Sequence, residues 1–128
     1  MENNYFNMPV NSNLKKSQRL LEKKQYKHVF AKHLRIVGVG FIVIARLNRE
    51  VGARLGLSFS KRHCPRAVER NRLKRIARES FRISAKQLPS VDIIIFCTYK
   101  SYKFSNKELF STLSHAWLSI MSSPWVEY

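Results

Sequence analysis

Nine of the 22 residues from Lys61 to Arg82 are Lys or Arg, against only Glu69 and Glu79 as acids. The chemistry such a run can do is to hold phosphate. The planar fork of an arginine offers two parallel hydrogen bonds to phosphate oxygens, and a lysine adds a mobile point charge. A second basic block, Lys15 to Arg35, sets Lys15, Lys16, Arg19, Lys23, Lys24, Lys27, Lys32 and Arg35 against Glu22 alone. It also carries Tyr26 and Phe30, one helical turn apart. Aromatic faces flanked by cations suit unpaired nucleic acid, because bases stack while the cations meet the backbone. Burial in a core is the commoner fate of a helical aromatic stripe, and Val29 between them is the better core candidate.

Other chemistries are poorly served. Asp92 is the only aspartate and lies in an apolar run, so paired carboxylates for acid–base or two-metal work are hard to assemble. His63 and Cys64 are sequence neighbours, which rarely form a nucleophile–base pair. His28 and His33 fall in the first basic block and His115 in the last helix. The two cysteines, Cys64 and Cys97, make neither a zinc spacing nor a disulfide framework, which fits a reducing cytosol. There is no glycine-rich phosphate loop. No catalytic and no metal-ligating residue is assigned to the protein itself.

The whole chain carries the same message. Its 128 residues hold 24 Lys+Arg and 8 Asp+Glu, a formal charge of +16, yet 45% are hydrophobic and 12% aromatic. That composition builds one folded domain rather than a disordered basic tail. A body so charged repels itself until it meets a polyanion, with nucleic acid the first candidate and an acidic membrane surface the second. Residues 1–13 are polar and lack a signal-peptide core, and no run approaches the ~18 apolar residues of a membrane span.

The elements that must position these residues follow from periodicity. Residues 1–14 read as a flexible tail, 15–121 as the domain and 122–128 as a C-terminal tail. Tyr26, Val29 and Phe30 mark a short first helix. Phe41 to Leu47 is a β-branched strand, and Asn48 to Gly52 a hairpin loop. Ala53 to Ser60 alternates, with Leu55, Leu57 and Phe59 on a core face and Arg54, Gly56, Ser58 and Ser60 on a face of small residues plus one arginine. Small residues leave room for another backbone to come close. After Pro65 a long helix runs from about Ala67 to Lys86. Its wheel puts Leu73, Ile76, Ala77 and Phe81 on one face and Asn71, Lys74, Arg75, Arg78 and Arg82 opposite, with Arg70 and Arg72 flanking the stripe. Glu69 with Arg66 and Glu79 with Arg75 could pair across one turn, leaving most of the ridge unpaired. No short helix and turn precede it, so helix-turn-helix geometry is unsupported. Val91 to Tyr99 is a strand whose run Ile93-Ile94-Ile95-Phe96 suits cover on both faces. Ser105 and Glu108 form a capping box for a last helix buried through Leu109, Leu113, Ala116, Trp117 and Ile120. The expected fold is α+β: a small mixed sheet packed with three helices in the order α-β-β-α-β-α, with room for one extra short strand.

The segment from Ser60-Lys61-Arg62 through Arg70-Asn71-Arg72-Leu73-Lys74-Arg75 to Arg78-Glu79-Ser80-Phe81-Arg82 resembles the signature of the bacterial ribonuclease P protein subunit. Arg19-Leu20-Leu21 with Tyr26 and Val29-Phe30 resembles that family's opening helix. Arg54-Leu55-Gly56-Leu57-Ser58 resembles its central strand, and Leu88-Pro89 before Asp92-Ile93-Ile94-Ile95 its last strand. The resemblance spans roughly residues 15–121. It implies a left-handed crossover carrying the basic helix between parallel strands. It also implies a cytoplasmic accessory subunit that binds a catalytic RNA and precursor tRNA. That RNA, with Mg²⁺ held chiefly by RNA and substrate, removes the 5′ leader as an endoribonuclease. Neither a membrane nor a protein partner is called for, and no organic cofactor. By the same resemblance Lys61, Arg62, Arg70, Asn71, Arg72, Lys74, Arg75 and Arg78 contact RNA. Tyr26, Phe30, Ile44, Arg54 and Ser58 belong to a leader cleft, although an Ile at position 44 cannot stack as an aromatic would. The alternatives are a ribosomal or other structural RNA-binding protein without a role in cleavage, and a basic protein of DNA or membrane surfaces.

Overall fold

The computed structural model describes residues 14, 16–19, 23–31, 33–49 and 52–124. Helix α1 (Lys23–Ala31) is followed by strands β1 (Leu34–Val37), β2 (Phe41–Leu47) and β3 (Arg54–Ser58), helix α2 (Ala67–Ser84), strand β4 (Val91–Cys97) and helix α3 (Asn106–Ser122). The four strands form one sheet in the order β1-β2-β4-β3, with β3 and β4 parallel and the other pairs antiparallel. The fold is α+β with three helices. The extra strand is β1, whose four residues alternate between half-buried and exposed. Most of the expected tail 1–14, together with Lys15, Leu20, Leu21, Lys32 and residues 125–128, lies outside the described residues. Leu14 does not: it is buried in the core.

The pleat sorts the sheet into two faces. Val43, Ala45, Leu55, Ile93 and Ile95 point to the main core, where Leu73, Ile76, Ala77 and Phe81 of α2 and Leu109, Leu113, Ala116, Trp117 and Ile120 of α3 meet them. Each fully buried Val, Leu, Ile or Phe among them contributes about 1.5–3 kcal/mol. The Trp117 Nε1–H donates to Ser80 Oγ at 2.8 Å, and its ring meets Phe81 edge-on, locking α3 to α2. The capping box of α3 forms as read: Ser105 Oγ accepts from the Glu108 amide at 3.1 Å, and the Ser105 amide donates back to the Glu108 carboxylate at 2.9 Å. The long basic helix ends two residues early, at Ser84, because Ala85–Gln87 tightens into a 3₁₀ turn.

The opposite face carries three registered rows: Arg46–Asp92–Arg54, Arg35–Ile44–Ile94–Gly56 and Val37–Ile42–Phe96–Ser58. Helix α1 lies across the middle row, with Val29 packed on Ile44 and Ile94 in a second small core. Ile94 is thus covered on its side of the sheet, and Ile93 and Ile95 on theirs. The Tyr26 ring rests on Gly56, where any Cβ would come within 2.5 Å of its hydroxyl. What the small residue admits is therefore an aromatic side chain. Gly56→Val should lift Tyr26 and loosen α1 at a cost of about 1–3 kcal/mol, read from the urea midpoint and from added proteolytic cutting in 23–31. An unchanged midpoint with α1 still protected would mean the contact is dispensable.

Candidate nucleic-acid interface

The ridge is built by α2. Asn71, Arg78 and Arg82 are exposed and Lys74 and Arg75 half-buried, on the side away from the core residues. Lys61 and Arg62 extend the same charge from the end of β3. The acids offset only part of it. Glu69 is drawn forward to Arg72 at 3.2 Å rather than back to Arg66, and the buried Glu79 pairs with Arg82 at 2.9 Å. No side chain caps the first turn of α2 at Arg66, so its end carries the positive pole of the helix.

Two of the residues expected to meet RNA are occupied inside the protein. The Arg72 guanidinium, 21% exposed, donates to Glu69, to the Tyr102 and Phe104 carbonyls and to Asn106 Oδ1. It ties α2 to the turn before α3. Arg70 Nη1 donates to the Cys64 and Pro65 carbonyls at 2.9 and 2.8 Å, bracing the loop that enters α2. Arg72→Ala should cost about 2–4 kcal/mol of stability, and Arg72→Lys should recover little of it, since an ammonium cannot reach acceptors spread around a planar fork. Urea unfolding checks this; an unchanged midpoint would return Arg72 to the RNA surface.

On the α1 side of the sheet lies a cleft of about 490 Å³. Ile42, Ile44 and Phe96 form its floor, and Phe30 stands over Phe96 with ring centroids 5.8 Å apart. Phe30 is 48% exposed, an unusual state for an aromatic in a helix stripe that has a core to join. Ser58 and Ser60 close the β3 side, while His63 and Tyr99 form the far wall. His33 and Arg35 add polar groups at the α1 end.

The structure therefore separates residues that the sequence groups together. Phe30, Ile44 and Ser58 line one cleft. Ile44 is 3% exposed and forms floor rather than a stacking surface. Tyr26 lies on the other side of α1, in a crevice of about 210 Å³ shared with Arg19, Lys74 and Arg78. Burial raises the Tyr26 phenol pKa, and a hydrogen bond with the Leu57 backbone opposes the shift. Arg54 does not open into the cleft: its guanidinium grips Asp92 with two hydrogen bonds of 2.7 and 2.8 Å. His63 and Cys64 diverge, the imidazole facing the cleft and the thiol buried in the core. Burial first, then Cys97 and Glu69, push the Cys64 thiol pKa up, against the lowering pull of Arg70 and Arg72. Phe96, His63 and Tyr99 are the cleft residues that periodicity does not single out. Only the strand register, which puts Phe96 opposite both Ile42 and Ser58, could have found the first of them.

A family described as Ribonuclease P matches residues 14–121. The chain is 44% identical over 101 residues to the ribonuclease P protein component of Chromohalobacter salexigens, covering 78% of this chain and 79% of that protein. It is 41% identical over 99 residues to the counterpart from Histophilus somni, covering 77% and 83%. Among solved structures it is similar to the Staphylococcus aureus RNase P protein, with a TM-score of 0.73 at 27% identity over 84% of this chain and 97% of that one. It shares a fold with the Thermotoga maritima RNase P protein, with a TM-score of 0.67 at 24% identity over 77% and 94%.

Proposed function

The chain belongs to the ribonuclease P protein family, and from that premise we propose that its ridge docks on the catalytic RNA while its cleft receives the 5′ leader of precursor tRNA. It is a subunit of an endoribonuclease of tRNA processing, and RNA is its partner. The observation that carries the finer reading is the half-exposed Phe30 over Phe96 in an open cleft, on a domain of formal charge +16. Stacking on such rings is worth about 1–3 kcal/mol per base and tolerates any sequence, as a leader of variable sequence demands. Lys61, Arg62, Asn71, Lys74, Arg75 and Arg78 meet phosphates of the RNA. Arg70 and Arg72 hold the frame on which they stand, and Tyr26 with Lys74 and Arg78 lines a separate crevice beside the ridge.

Among the described residues no three His, Cys, Asp or Glu gather as a metal site. The buried carboxylates Asp92 and Glu79 are paired with Arg54 and Arg82. We assign the Mg²⁺ of the reaction to RNA and substrate, and hydrolysis to the RNA, on the strength of the family and not of the protein's own side chains. The protein's part is to neutralise phosphate and hold the leader. No helix among the described residues is long and apolar enough to cross a membrane. We place the protein in the cytoplasm because its proposed RNA partner and precursor tRNA are there. Reconstitution tests it. Protein, a bacterial ribonuclease P RNA and precursor tRNA at low Mg²⁺ should give leader removal that RNA alone does not, and protein alone should give none. No stimulation would favour a structural RNA-binding role. Cleavage by protein alone would overturn the assignment of chemistry to RNA.

A further inference from the structure

At the far wall of the cleft, β4 runs out into a turn that presents Tyr99, 65% exposed. Its ring meets His63 edge-on at 6.2 Å, and the Lys100 ammonium lies 5.3 Å from its centroid. The backbone fixes this arrangement from several sides. The Thr98 amide donates to the Gly40 carbonyl at 3.0 Å, the Lys100 amide to the His63 carbonyl at 3.1 Å and the His63 amide to Ser60 Oγ at 3.1 Å. Lys100 itself is held left-handed at φ 58°, a conformation that costs a non-glycine residue energy and persists only where its surroundings impose it. An aromatic residue left to solvent, on a turn that is strained to present it, with a cation beside it, has the parts of a base-stacking site.

We infer that Tyr99 is a second stacking station of the cleft, taking an unpaired nucleobase of the leader while Lys100 meets the adjoining phosphate. The inference rests on the leader-cleft reading above. It adds a distance to it. Tyr99 lies three residues beyond Phe96, a span of at most about 11 Å. A stacked strand rises about 3.4 Å per nucleotide, so the bases at Phe30–Phe96 and at Tyr99 lie a few nucleotides apart on one leader.

The test uses the holoenzyme and precursor tRNAs carrying 2-aminopurine, a fluorescent base quenched on stacking, at successive leader positions. The wild type should quench it at two positions a few nucleotides apart. Tyr99→Ala should release one of them and weaken leader-dependent affinity about five- to a hundredfold, leaving affinity for leaderless tRNA unchanged. Tyr99→Trp should keep the quenching, and Phe30→Ala should release only the other position. If Tyr99→Ala leaves every position as quenched as in the wild type, Tyr99 is no station, and the leader cleft stands on Phe30 alone. If no leader position is quenched in the wild type and Phe30→Ala changes nothing, the leader-cleft reading itself fails.

Discussion

Arg54→Ala should lower the stability of the domain by about 3–5 kcal/mol while leaving the leader affinity of the folded protein unchanged. Asp92, 2% exposed, sits at the centre of the Arg46–Asp92–Arg54 row and takes two hydrogen bonds from Arg54 and a third, at 2.8 Å, from Asn48 Nδ2. Removing the guanidinium strips a buried carboxylate of its two charge-assisted hydrogen bonds, keeping the contact from Asn48 and leaving Arg46 across the row. The penalty is the desolvation of an ion that has lost its counter-ion, which exceeds what the pair contributes over an apolar substitute. Two controls separate these quantities. Arg54→Met keeps the volume and should be nearly as unstable as Arg54→Ala. Arg54→Met combined with Asp92→Leu removes both charges and should recover most of the loss. Urea unfolding reads the cycle. A small stability change accompanied by a clear drop in leader affinity would put Arg54 back in the binding surface.

The second large effect belongs to the ridge. Replacing Arg62, Lys74 and Arg78 together by alanine should make the dependence of log K on log salt shallower by about three, one unit for each phosphate that is no longer neutralised. At physiological salt, affinity for the catalytic RNA should fall at least about a hundredfold. The unfolding midpoint should hold or rise, since these side chains are exposed or half-buried and removing like charge from a domain of +16 relieves repulsion. The wild type, meeting ~6–10 phosphates, should itself fall by about 10³–10⁵ in affinity between 50 and 200 mM salt. A triple variant with the wild-type salt slope would show that the RNA docks elsewhere.

These two results fall on opposite sides of what a sequence can disclose. The ridge is periodic: a helix returns to the same face every three or four residues, so the apolar stripe of α2 names its cationic back without any knowledge of partners. The capping box of α3 is as local, with its two residues three apart. Arg54 and Arg72 are different. Their types say phosphate, and their surroundings say otherwise, because the acceptors that claim them lie 38 and 30 residues away. Strand order decides the first case: β4 inserts beside β3 and brings Asp92 opposite Arg54. The turn before α3 decides the second. Ile44 lines the cleft as floor, 3% exposed, because α1 covers it; alternation tells which residues share a face but not which of them a helix then covers. The short β1 stayed hidden because Arg35 reads as one more charge in a basic block, while its neighbours Leu34 and Ile36 alternate over too few residues to show a period.

The sheet that separates ridge from cleft has one further property. Its rows are shared, since Ile93 and Ile95 hold the core under α2 while Ile94, between them, carries α1. Neither face can shift without moving the other, and the β3–β4 pair that supports both is joined by the ridge helix itself. The protein therefore behaves as a caliper of fixed gap. On the function proposed above, one jaw would hold the catalytic RNA and the other the leader strand. Substitutions that alter this gap, by swelling or shrinking the packing under β4, would then move the point of scission along the substrate more than they weaken the grip of either jaw.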